Sequence, residues 1–90
     1  MIKLIDLLGP IDPKATIYIS IDVEKDKYSF GTSSLYEGAA GAVPALLTKL
    51  KVTYISVVLE EEDDDMKPII NVYGIFTTED DANQYKILME

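Results

Sequence analysis

Ninety residues, 48% hydrophobic and 27% charged, describe one globular domain with a single core and not a disordered chain. Sixteen acids against eight lysines leave a net charge of −8, and Arg, His, Cys and Trp are absent. Such a chain repels a phosphate backbone and offers it no guanidinium fork, which argues against direct nucleic-acid binding; without Cys there is no disulfide, thiolate nucleophile or thiolate metal site. Asp6 interrupts the apolar opening, and no apolar run approaches the ~18 residues of a membrane span, so the expectation is a cytoplasmic protein without membrane contact.

Ile2, Leu4, Ile5, Leu7 and Leu8 form one helical stripe, stopped by Gly9-Pro10. After Ile11-Asp12-Pro13, residues 16–23 alternate, with Ile17, Ile19, Ile21 and Val23 on one face and Thr16, Tyr18, Ser20 and Asp22 on the other, which predicts a strand. Glu24-Lys25-Asp26-Lys27 is a hairpin connection, and Tyr28 and Phe30 share a face of a second strand ending near Gly31. Gly38-Ala39-Ala40-Gly41 reads as a tight turn packed close to a helix. Pro44 opens that helix, which carries Ala45, Leu46, Leu47 and Leu50.

Residues 52–59 are β-branched and apolar, a third strand with Ile55, Val57 and Leu59 on one face and Tyr54, Ser56 and Val58 on the other. The run Glu60 to Asp65, with Met66, Lys67 and Pro68, is its connection to a fourth strand at residues 69–76 that is apolar on both faces and therefore either central or covered on both sides. Gly74 marks a bulge or a close approach. Thr77 or Thr78 caps a last helix that has Glu79, Asp80 and Asp81 at its positive end and Ala82, Tyr85, Leu88 and Met89 as its stripe. The likeness of residues 17–24 to residues 53–60, each behind a Leu-rich segment, reads either as two helix-hairpin halves or, more simply, as strands reusing Tyr, Ile, Ser and Val by propensity. The fold class expected is α+β: a four-stranded, mostly antiparallel sheet with short helices on one face, as one domain over residues 1–90.

Candidate chemistry is sparse. Six adjacent acids, Glu60, Glu61, Glu62, Asp63, Asp64 and Asp65, are the densest charge in the chain, but a calcium loop alternates ligands with spacers and turns on a Gly, and this run does neither. Two other readings are a solvated hairpin tip that blocks edge pairing and a mimic of the phosphate path that occupies a basic groove of a protein partner. The Gly38 to Gly41 segment lacks the Lys-Ser/Thr ending of a nucleotide loop and adjoins Glu37. Ser33 and Ser34 have no His or Cys to activate them, and Asp22 with Glu24 falls on a polar face. No metal, cofactor or catalytic residue is expected. Tyr18 and Tyr54, with Tyr73, Ser20, Ser56 and Asn71, would share the face away from the Ile stripes, where Tyr and Ser make an adaptable contact surface.

The segment Tyr36-Glu37-Gly38-Ala39-Ala40-Gly41-Ala42-Val43-Pro44 with Leu46-Leu47 and Lys51-Val52, together with the opening Ile2 to Leu8 and Ile11-Asp12-Pro13, resembles small uncharacterised proteins of phages and mobile elements in low-GC Gram-positive bacteria. The resemblance spans about residues 1–76 and does not extend to the last helix. It implies an accessory protein of a class that includes anti-CRISPR-type inhibitors, acting in the host cytoplasm. The function expected is thus non-enzymatic binding, with Glu60 to Asp65 foremost and Tyr18 and Tyr54 behind them, against a protein that carries a basic, nucleic-acid-binding groove. The alternative is a homo-oligomeric accessory protein, a homodimer among them, joined through the tyrosine face or an edge strand.

Overall fold

Strict alternation over residues 16–21 builds the strand against which the rest of the chain packs: Ile17, Ile19 and Ile21 are buried to 1% exposure or less while Thr16, Tyr18 and Ser20 face the other way, half-buried. The computed structural model describes residues 2–28 and 34–89. Within them the order is α1 (Leu4–Leu8), β1 (Thr16–Ile21), β2 (Ser34–Ala39), two 3-10 turns (Ala40–Ala42 and Ala45–Lys49), β3 (Lys51–Glu62), β4 (Asp65–Ile75) and α2 (Glu79–Met89). The strands form one sheet in the order β2-β1-β4-β3. β1 with β2 and β3 with β4 are antiparallel, but the central pair, β1 with β4, is parallel.

The sheet is therefore mixed: two of its three strand pairs are antiparallel, in keeping with a mostly antiparallel sheet, and the central pair is parallel. The reason lies in β4. A strand apolar on both faces belongs inside a sheet; its hairpin to β3 supplies one neighbour, and β1, with its buried Ile17-Ile19-Ile21 face, supplies the other. The two strands of similar sequence sit in unlike places: β1 is central, and β3 lies at an edge and runs antiparallel to it.

Other boundaries differ from the sequence reading. Val23 falls in the turn after β1 and is 67% exposed. The second strand lies at Ser34–Ala39, taking in Gly38 and Ala39 of the small-residue turn. Tyr28 sits in a bend packed against the core, and the expected positions of Phe30 and Gly31 lie outside the described residues, as does Ser33. The helix after Pro44 is a single five-residue 3-10 turn, confined by extended residues at Val43 to Pro44 and at Leu50. Its Leu47 and Leu50 are nonetheless fully buried.

Leu4, Ile17, Ile19, Ile21, Leu35, Leu47, Leu50, Val52, Val72, Phe76, Ala82 and Tyr85 belong to one core cluster. Thr78 caps α2, its Oγ1 accepting from the Asp81 N–H at 3.2 Å, and the Tyr85 hydroxyl donates to the Leu35 carbonyl. Ile87 and Leu88 stay 67% and 66% exposed, so the stripe of α2 reduces to Ala82 and Tyr85; the Met89 side chain lies outside the described residues. Two glycines permit close approach. A Cβ at Gly74 would lie 2.9 Å from the Lys51 carbonyl oxygen and one at Gly41 2.7 Å from Pro13 Cβ, both below ordinary contact. Opposite Gly74 the register of β3 shifts between Val52 and Tyr54, the mark of a bulge.

Candidate binding surface

The acidic run is mostly strand. Asp63 and Asp64 have φ of 50° and 67°, the left-handed pair of a two-residue hairpin turn. Glu62 then faces Asp65, Glu61 faces Met66 and Glu60 faces Lys67. A two-residue turn leaves no loop for the rest of the run, so Glu60, Glu61 and Glu62 end β3 and Asp65 begins β4, where the sequence reading placed a longer connection. β1 accompanies β4 only from Ile69 to Gly74, so the hairpin beyond Val58 and Ile69 projects past its neighbour. At about 3.3 Å per residue this arm accounts for the elongated outline of 43 × 25 × 24 Å.

Strand alternation divides the acids. Glu60 shares a face with Tyr54 and Ser56, Glu61 turns to the opposite face, and Asp63 and Asp64 cap the end. Glu60, Glu61, Asp63, Asp64 and Asp65 are exposed; the Glu62 side chain lies outside the described residues. Among the described residues no three His, Cys, Asp or Glu side chains are grouped to hold a metal ion.

The tyrosine face is assembled by register. Tyr18 pairs with Asn71 and Glu37, Asn71 with Ser56, and Tyr73 with both Ser20 and Tyr54. The rings of Tyr54 and Tyr73 are 5.8 Å apart at a tilt of 52°, an ordinary cross-strand aromatic pair, and Tyr54 is 60% exposed. A shallow depression lined by Thr16, Tyr18, Glu60, Lys67 and Ile69 joins this face to the arm. There the Tyr18 hydroxyl has its pKa raised, first by a hydrogen bond to the Glu37 carboxylate, then by the charge of Glu37 and, more weakly, of Glu60. Tyr18, Tyr54 and Glu60 thus lie on one face, while Glu61 lies on the other and Asp63 and Asp64 cap the end of the arm.

Sequence reasoning missed Thr53 and Lys67. Thr53 Oγ1 donates to Asp22 Oδ2 at 2.6 Å and lies 3.2 Å from the Tyr73 carbonyl oxygen, while the Asp22 N–H donates to the Gly74 carbonyl at 2.9 Å. A hydroxyl held by a carboxylate is the start of a nucleophile-base pair, but here both partners also tie down the bulge. The arrangement is a clamp across β1, β4 and β3. Only the bulge puts Thr53 in reach of Asp22, and a bulge has no sequence mark beyond Gly74. The acidic run predicts a connection that takes in Lys67, whereas the structure pairs Lys67 with Glu60 in the β3-β4 ladder.

No protein-family model, no curated protein and no solved structure matches the chain. Fold and surface together define a small α+β protein with a mixed sheet and a projecting, acid-tipped hairpin.

Proposed function

We propose that this chain is a non-enzymatic acidic binding protein of the host cytoplasm, whose hairpin tip enters a basic groove on a protein partner and occludes it against nucleic acid. The observation that carries this reading is the placing of Glu60 to Asp65 at the end of a two-residue hairpin projecting past β1. Carboxylates on a fixed strand end present a spaced negative surface with little ordering left to lose on binding, and their field speeds encounter with a positive groove. Tyr18 lies near the base of the arm and Tyr54 further along the same face, and they supply apolar contact beside the charge. The resemblance around residues 36–44 suggests the setting, a phage-encoded inhibitor of a nucleic-acid-binding host defence protein.

The test replaces charge and keeps shape: Glu60→Gln, Glu61→Gln, Glu62→Gln, Asp63→Asn, Asp64→Gly and Asp65→Asn together. Asn-Gly suits the left-handed turn, so the variant should melt at or above the wild-type temperature. Partner captured from host extract on the immobilised wild-type chain should be lost on the variant and released from the wild type by salt. Capture that survives the substitution sinks the reading. A second reading, self-association, is favoured by one observation, the exposure of Ile55, Val57 and Leu59 on the edge strand β3.

A further inference from the structure

β3 is an edge strand whose outer side is only partly covered. Residues 2–4 occupy its near end: the Leu4 N–H donates to the Leu50 carbonyl at 2.8 Å, the Val52 N–H to the Ile2 carbonyl at 3.0 Å, and Lys3 lies directly across from Lys51. Further out, the turn decides where the backbone groups point. In a two-residue hairpin the closing pair, here Glu62 with Asp65, exchanges hydrogen bonds, so Glu60, Val58 and Ser56 also turn theirs toward β4. Ile55, Val57, Leu59 and Glu61 turn theirs outward, and no described residue outside the sheet donates to them or accepts from them. Ile55 and Val57 stand opposite Val72 and Ile70, on the face that holds the core, yet Ile55, Val57 and Leu59 are 38%, 61% and 60% exposed. Edge strands are ordinarily blunted by charge, proline or a covering segment, and among the described residues none of these reaches residues 55–59.

We propose that this edge pairs with the same edge of a second copy, antiparallel, about a two-fold axis through Val57 perpendicular to the sheet. That register sets Val57 against Val57, Ile55 against Leu59 and Leu59 against Ile55 of the second copy, so every outward apolar residue meets another. A shift by two residues opposes Leu59 to Thr53, or Ile55 to Glu61. The two-fold keeps both core faces on one side of a continuous sheet. Charge selects the same arrangement. Lys3 and Lys51 form a like-charge pair at the near end of β3, and the acidic run is at the far end. Antiparallel pairing brings the tip of each copy to the Lys3-Lys51 pair of the other, whereas parallel pairing would set acids beside acids and lysines beside lysines. The run holds six carboxylates against those two lysines, so both ends of the dimer stay negative.

The test uses the absence of Cys. Across a hydrogen-bonded pair Cα atoms lie about 5.5 Å apart, within disulfide reach. Mild oxidation should therefore link the Val57→Cys chain into a covalent dimer, leave Ile55→Cys alone largely unlinked, and link a mixture of Ile55→Cys and Leu59→Cys. In analytical ultracentrifugation the wild type should sediment as a dimer. Val57→Pro, which removes an N–H that β4 does not use, should sediment as a monomer with an unchanged circular dichroism spectrum; if Val57→Pro fails to fold, Val57→Lys is measured in its place. A monomeric wild type overturns the proposal. So does a folded Val57 variant that remains a dimer, or crosslinking at Ile55→Cys alone in preference to Val57→Cys. Because Val57→Pro leaves the acidic tip intact, this result is independent of the partner-capture test above.

Discussion

Tyr85 joins the last helix to the far edge of the sheet through one hydroxyl. Its ring is 6% exposed, lies 5.7 Å from that of Phe76, and its hydroxyl donates to the Leu35 carbonyl on β2. Burial raises its pKa above the ordinary 10.0. The folded chain then holds this proton more tightly than the unfolded chain, so the contribution is complete below pH 10 and is lost as pH rises through the folded-state value. Tyr85→Phe should cost about 1 kcal/mol near neutral pH, the net worth of one hydrogen bond. It should also make the fall in stability above pH 10 shallower, which denaturant melts at several pH values would register; an equally steep alkaline fall would refute the assignment. At this scale the sequence was most informative where side chains alternate. Ile17, Ile19 and Ile21 read inward and are inward, and Tyr18 and Tyr54 read outward and share a face. Thr53 with Asp22 was illegible, since their contact depends on a register shift two strands away from Asp22.

Among the elements, α2 is held by little. Ala82 and Tyr85 are its buried apolar residues among those described, so its first turn matters more than in a deeply packed helix. Thr78 caps it, Glu79, Asp80 and Asp81 lie at its positive end, and Lys49 Nζ comes 3.7 Å from Asp81 Oδ1. Thr78→Ala should destabilise the protein by about 1 kcal/mol and Thr78→Ser by much less; equal melting temperatures for the two variants would assign the loss to something other than the cap. The cap and the acids were legible because they are local chemistry. β2 was not: only Leu35 is buried along Ser34–Ala39, and an edge strand with one inward anchor has too weak an alternation to outcompete Tyr28 and Phe30 in a reading of the sequence. The arm was legible as a hairpin but not in length. Glutamate is a poor strand former by propensity, yet β4 supplies the hydrogen-bond partners that carry β3 through Glu62.

For the whole molecule, a net charge of −8 on ninety residues makes self-repulsion a standing cost of the compact state. Raising ionic strength toward ~0.5 M shortens the screening distance to a few ångströms and should raise the melting temperature at fixed, low protein concentration. A melting temperature that fell with salt would mean that attractive pairs such as Lys49 with Asp81 outweigh the repulsion. Fold class and the central place of β4 could be reached from composition and alternation. The parallel pairing of β1 with β4 could not, because no local signal states which distant strand a buried one will choose. That pairing also sets an order of events during synthesis. β3 and β4 are joined by two residues and can zip up as soon as both exist, whereas Thr16 must wait for Ile69 before β1 acquires its inner neighbour. On the ribosome the Ile-rich strand emerges before β4 and stays open on that side until β4 has been made, so a product stalled or cut between them would present it to other chains as a ready template for aggregation.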